Sequence, residues 1–130
     1  MRTLVRPDAP WPHGRGDTEV STVRADACLA WRLGVPERTQ LHRERVELLD
    51  PDSRPAMVQT TWRRSAAARP HVTHQLHVTG STLDRASATL LGLGVGMVVL
   101  VVERTRYDER GRPVETADLV LPADRWRIKM

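Results

Sequence analysis

Val98-Val99-Leu100-Val101-Val102-Glu103-Arg104-Thr105-Arg106-Tyr107-Asp108-Glu109-Arg110-Gly111-Arg112-Pro113-Val114 holds a strand and the turn that sends it back. Val98 to Tyr107 is rich in β-branched residues and is strand-sized. Asp108-Glu109-Arg110-Gly111 is turn chemistry, after which Arg112-Pro113 opens a returning strand predicted over Val114 to Leu121. Proline at a strand's first residue removes a donor the ladder does not use there. Upstream, Ser81 with Asp84 resembles a capping box, Leu83, Ala86 and Leu90 follow at helical spacing, and Gly92 is placed to end the helix.

The same order occurs earlier in the chain. At an offset of 58, seven residues between Asp26 and Pro55 are identical to their counterparts: Asp26/Asp84, Ala30/Ala88, Leu33/Leu91, Gly34/Gly92, Asp50/Asp108, Arg54/Arg112 and Pro55/Pro113. They fall at the helix start, body and stop and at the hairpin turn. Asp26, Cys28, Leu29, Ala30, Trp31 and Leu33 therefore form a short helix stopped by Gly34 and Pro36. Gln40 to Leu49 is a strand, Asp50-Pro51-Asp52-Ser53 a turn, and Ala56 to Trp62 the return. Two copies are too few for a solenoid, so one domain is built from two similar halves.

Between the halves, Pro70, Val72, Thr73, Val78 and Thr79 predict a fifth strand. The expected architecture is α+β: an antiparallel sheet with short helices on one face and an internal duplication of helix, strand, hairpin and strand. Val98 to Val102, apolar on both faces, is expected to be a central strand covered on both sides. Residues 1–20, with Pro7, Pro10, Pro12, Gly14 and Gly16, read as an extended arm, leaving 21–130 as the domain.

The chain of 130 residues suits a single core. Its longest apolar run, Met97 to Val102, is far short of the roughly 18 residues a membrane-spanning helix needs. The N-terminus shows prolines where a secretory signal has its apolar stretch, so a cytoplasmic location is expected. A single cysteine, Cys28, excludes an internal disulfide and reads as a small buried residue. The net charge of +4 and pI near 10.5 invite a nucleic-acid reading. Against it, Lys129 is the one lysine, and the arginines are interspersed with 16 acids instead of forming a block.

Ala30-Trp31-Arg32-Leu33-Gly34-Val35-Pro36, Arg43-Glu44-Arg45, Met57-Val58-Gln59-Thr60-Thr61-Trp62, the run from Leu90 to Asp108 and Gly111-Arg112-Pro113-Val114-Glu115 together resemble the UTRA domain. This is the effector-binding half of GntR-type bacterial transcription regulators of the HutC subfamily, with a chorismate-lyase-like fold. The resemblance runs from about Thr22 to the C-terminus. It implies a small-molecule effector, a homodimer, and contact with DNA only through a winged helix-turn-helix domain or partner outside this chain, for which the N-terminal arm is too short. It implies no cofactor. Only Arg63 to Arg69 stands where the family has a longer insertion, so the cleft is expected to be more open, or lost.

Six residues are candidates for effector binding. Arg43 and Arg45, at i and i+2 on one strand, share a face and can present forked donors to a phosphate or carboxylate; the resemblance also implies this role. The bland alternative is a pair of solvated edge-strand charges. Glu115 matches a position where the family places an acceptor for effector hydroxyls or amines, although a strand-edge acid would look the same. Thr60 and Thr61 offer hydroxyls, or simply fill a β-strand. Asp118 aligns with Thr60 in the repeat. His71, His74 and His77 alternate on their strand and cannot converge on one metal, so none is expected. Gln75 stands where the family often has an acid and is expected to line a cleft. Gly92, Gly94 and Gly96 are turn residues, without the lysine of a phosphate loop.

The sequence therefore supports a sensor of an anionic or polar metabolite. The alternative is a ligand-free module that dimerises with related regulators, using Leu119, Val120 and Leu121 if their strand lies at an edge. No nucleophile-base pair or carboxylate dyad points to an enzyme.

Overall fold

The computed structural model describes residues 2–4, 8, 10–82, 85, 96–123 and 126–128. In chain order the elements are β1 (Arg2–Leu4), β2 (Arg15–Arg24), α1 (Ala27–Leu33), β3 (Gln40–Leu49), β4 (Pro55–Arg63), β5 (Thr73–Thr82), β6 (Val98–Tyr107), β7 (Pro113–Pro122) and β8 (Trp126–Ile128). Six strands make one antiparallel sheet in the order β2-β3-β4-β7-β6-β5, while β1 pairs in parallel with β8. The α+β architecture expected from the sequence is the one observed. Most of the second helix, expected between Asp84 and Gly92, lies outside the described residues.

The duplication extends to the hydrogen-bond register. Shifting the pairs Glu19↔Arg45 and Arg45↔Thr60 by 58 positions yields His77↔Glu103 and Glu103↔Asp118, which are the pairs found. The irregularity after Leu48 recurs after Arg106. The turns also match. Asp50 Oδ1 accepts from the Asp52 and Arg54 amides, as Asp108 Oδ1 does from Arg110 and Arg112. Each turn has one residue at positive φ, Ser53 at 61° and Gly111 at 74°.

The β4–β7 pairing joins the two hairpins at the middle of the sheet, and this changes two expectations. The strand carrying Val98 to Val102, β6, lies one place in from the edge instead of at the centre, and Val98 is exposed. Leu119, Val120 and Leu121 lie on the central strand β7, so they offer no edge for a partner; the edges are β2 and β5. Part of the stretch read as an arm also belongs to the sheet, because β2 begins at Arg15.

The main core covers the sheet face opposite α1. Val46, Leu48, Met57, Val102, Leu119 and Leu121 are buried there with Trp126, and Trp11 packs against them. The Trp11 indole donates to Leu49 O at 2.8 Å and meets Trp126 at 6.2 Å between ring centroids. Fixing one large amphipathic ring in this way holds the proline-rich N-terminal stretch against the sheet. On the other face, Leu29, Ala30 and Leu33 of α1 pack with Leu41, and Trp62 lies against them. Cys28, expected inside, faces solvent, because the buried stripe of α1 is Leu29, Ala30, Arg32 and Leu33.

Candidate functional site

Local signals hold α1 in place. The Asp26 carboxylate caps its N-terminus by accepting from the Leu29 amide at 2.8 Å. Gly34 ends it in the left-handed conformation, at φ 62°, with the Val35 amide returning to Ala30 O. The helix thus delivers Arg32 to the middle of the sheet. Arg32 Nε donates to Thr116 Oγ1 at 2.9 Å and Nη2 to Ala117 O at 3.1 Å, while Nη2 lies 2.8 Å from Asp118 Oδ1. Its guanidinium also sits 5.7 Å from the Trp62 ring centroid.

Residues opposite one another in antiparallel strands share a face. A single row therefore crosses the helix-bearing face from edge to edge: Glu19, Arg45, Thr60, Asp118, Glu103 and His77. The adjacent row is Ser21, Arg43, Trp62, Thr116, Thr105 and Gln75. A sheet face under a helix is ordinarily apolar. Here charges and hydroxyls dominate.

The electrostatics of the row differ between its ends. Arg43 Nη1 pairs with Glu19 Oε1 at 3.1 Å. Arg45 Nε is buried and has no hydrogen-bond partner among the described residues. At the other end, burial pushes the Asp118 carboxyl above its ordinary value, Glu103 adds to the rise, and Arg32 opposes it. A cleft of about 730 Å³ opens beside α1 over this second half. Trp31 and Arg32 form one wall, and Gln75, His77, Glu103, Thr105 and Tyr107 contribute the rest with Leu76 and Pro113.

The structure brings together Arg43, Arg45, Thr60 and Asp118 on the helix-bearing face. Thr61 and Glu115 lie on the other face, as strand alternation requires of neighbours to Thr60 and Thr116. Thr61 is buried there and accepts from Gln59 Nε2 at 3.2 Å. Glu115 receives Arg63 Nε at 2.8 Å, Arg106 Nη1 at 3.0 Å and Arg104 Nη2 at 3.5 Å. Burial alone would raise its carboxyl, but the hydrogen bond and charge of Arg63, with Arg106 and Arg104, hold it below the usual range. Arg106 Nη2 also donates to Asp8 O at 2.7 Å, so this network ties the N-terminal stretch to the sheet.

Gln75 lines the cleft as expected, and His77 and His74 point to opposite faces. Among the described residues, no group of three His, Cys, Asp or Glu side chains could hold a metal ion. Sequence reasoning missed Trp31, Arg32 and Glu103 as cleft residues. Glu103 was within reach, since it is the repeat counterpart of Arg45. The position of Arg32 depends on α1 lying across β7, which no local pattern specifies.

Comparison with known proteins identifies the fold. The chain superposes on a GntR-family transcriptional regulator with a TM-score of 0.83 at 22% identity, covering 98% of this chain and 67% of that one. The C-terminal domain of Yurk from Bacillus subtilis gives 0.81 at 9% identity, covering 99% and 98%. The effector domain of PhnF from Mycobacterium smegmatis gives 0.73 at 19% identity, covering 85% and 81%. The fold is that of the C-terminal domains of GntR-family transcription regulators. Within it, residues 64–127 match the UTRA domain family, as the sequence resemblance implied. The HTH-type transcriptional regulator Rv0792c of Mycobacterium tuberculosis is 46% identical over 55 residues, 42% of this chain. The match spans 20% of that curated relative's length. No helix among the described residues is long and apolar enough to cross a membrane.

Proposed function

We propose that this chain is the effector-binding part of a GntR-type regulator of the HutC kind, taking an anionic or polar metabolite on the helix-bearing face of its sheet. Arg43 and Arg45 supply the charge and Thr60 a hydroxyl, with Asp118 at the rim. The observation that supports this most is Arg45. Its Nε is buried on a polar sheet face with no hydrogen-bond partner among the described residues, a costly state that a bound oxyanion would relieve. Thr61 and Glu115 then support the site from behind by holding the sheet together.

Signalling in this reading requires the effector to favour one arrangement of the halves, or of a cytoplasmic homodimer, over another. The output passes to DNA through a winged-helix domain or partner. Calorimetric titration with a panel of sugar phosphates and sugar carboxylates tests it. Saturable binding is expected, weakened about tenfold by Arg45→Gln, the loss of one charge-assisted hydrogen-bond set. No saturable heat across the panel overturns the proposal in favour of a ligand-free interaction module, and unchanged affinity in Arg45→Gln overturns the assigned site.

A further inference from the structure

The register makes the helix-bearing face a two-copy surface, and the copies differ in charge. The local dyad runs between Thr60 and Asp118, relating Arg45 to Glu103 and Glu19 to His77. Strands lie about 4.8 Å apart, so the backbones of Arg45 and Glu103, three strands apart, are separated by about 14 Å along the row. A small metabolite held at one does not fill the other.

We propose that the cleft over the second half is a separate binding site for a small molecule carrying a protonated or quaternary amine. Three observations point to that chemistry. First, the charge of the arginine in the cleft wall is already matched by a carboxylate: Arg32 donates from Nε to Thr116 and from Nη2 to Ala117 O, and Nη2 pairs with Asp118. Second, Glu103 is half-buried in the cleft, and its side chain makes no hydrogen bond or ion pair among the described residues. It faces Asp118 across the strand pair, and the field of two carboxylates beside one guanidinium favours a cation.

Third, the rim is aromatic. Trp31 is 85% exposed, although the helix it stands on is well anchored, and Tyr107 borders the same space. An indole face beside a carboxylate suits an ammonium group by cation–π attraction. The Tyr107 hydroxyl donates to Gln75 Oε1 at 3.1 Å, which leaves the Gln75 amide hydrogens as donors for ligand hydroxyls. A volume of about 730 Å³ falls within the range of small-molecule sites.

The test follows the Trp31 indole N–H by two-dimensional NMR, assigned with Trp31→Phe, at constant ionic strength. The probes are choline and glucosamine as amines, glucose as an uncharged polyol and inorganic phosphate as an anion. The amines are expected to shift Trp31 saturably, with affinity falling about tenfold in Glu103→Gln, as loss of one charged partner predicts. Arg45→Gln should leave that response unchanged, which separates this site from the anion site proposed above. No saturable shift with either amine overturns the proposal. So does an equal response to glucose or phosphate, or an unchanged amine affinity in a Glu103→Gln protein whose spectrum shows it folded.

Discussion

Thr60 and Asp118 are opposite each other in the β4–β7 pair and are also 58 positions apart, the offset of the internal repeat. The two residues are therefore each other's counterpart, and the local twofold axis of the domain runs between them. The axis carries a hydroxyl on one side and a carboxylate on the other. Arg32, reaching from α1, makes its ion pair with the carboxylate side. The asymmetry of the helix-bearing face thus begins at its centre.

Arg32→Met should be strongly destabilising. It leaves the Asp118 carboxylate, already raised by burial, without its cation, and it removes one donor each from Thr116 Oγ1 and Ala117 O. A loss of about 3 kcal/mol in urea unfolding is expected for breaking a buried pair from one side. A loss within the range of surface substitutions would show that the pair contributes nothing.

The two buried carboxylates should respond oppositely to acid. Glu115 is held below its ordinary value of 4.5 and Asp118 lies above 3.8. A carboxylate lowered by folding contributes stability above its unfolded pKa and loses it as pH falls through the folded value. One raised by folding weakens the native state at neutral pH, and its protonation on acidification relieves that cost. Carboxyl carbon titration by NMR should place each on its stated side. In Glu115→Gln, stability at pH 7 should drop by about 3 kcal/mol, and the wild-type loss between pH 5 and lower values should flatten.

The duplicated turns provide a matched pair of backbone tests. Ser53 and Gly111 occupy the same left-handed position, and a Cβ added at Gly111 would meet nothing within 4 Å. Ser53→Gly should stabilise by about 0.5 kcal/mol, since relief of the left-handed strain exceeds the entropy of the added glycine. Gly111→Ala should cost about 1 kcal/mol. Thermal unfolding of both variants checks the signs.

Hairpins and halves were legible in the sequence because turn residues and period-two strands are local signals. β2 was not, because Arg15-Gly16-Asp17-Thr18-Glu19 is the polar, glycine-bearing sequence of an exposed edge strand. The repeat offset, extended upstream from Asp26, would have found it opposite β5. Strand alternation by itself sends Thr60 and Thr61, and likewise Asp118 and Glu115, to opposite faces of the sheet. The cleft depends on how α1 crosses β7, a tertiary relation.

Backbone amide shifts on saturation with inorganic phosphate at constant ionic strength test most directly which arginines form the anion site. The shifts should gather on Arg43, Arg45, Thr60 and their neighbours across the helix-bearing face. Shifts centred on Arg63, Arg104, Arg106 and Glu115, on the opposite face, would contradict it.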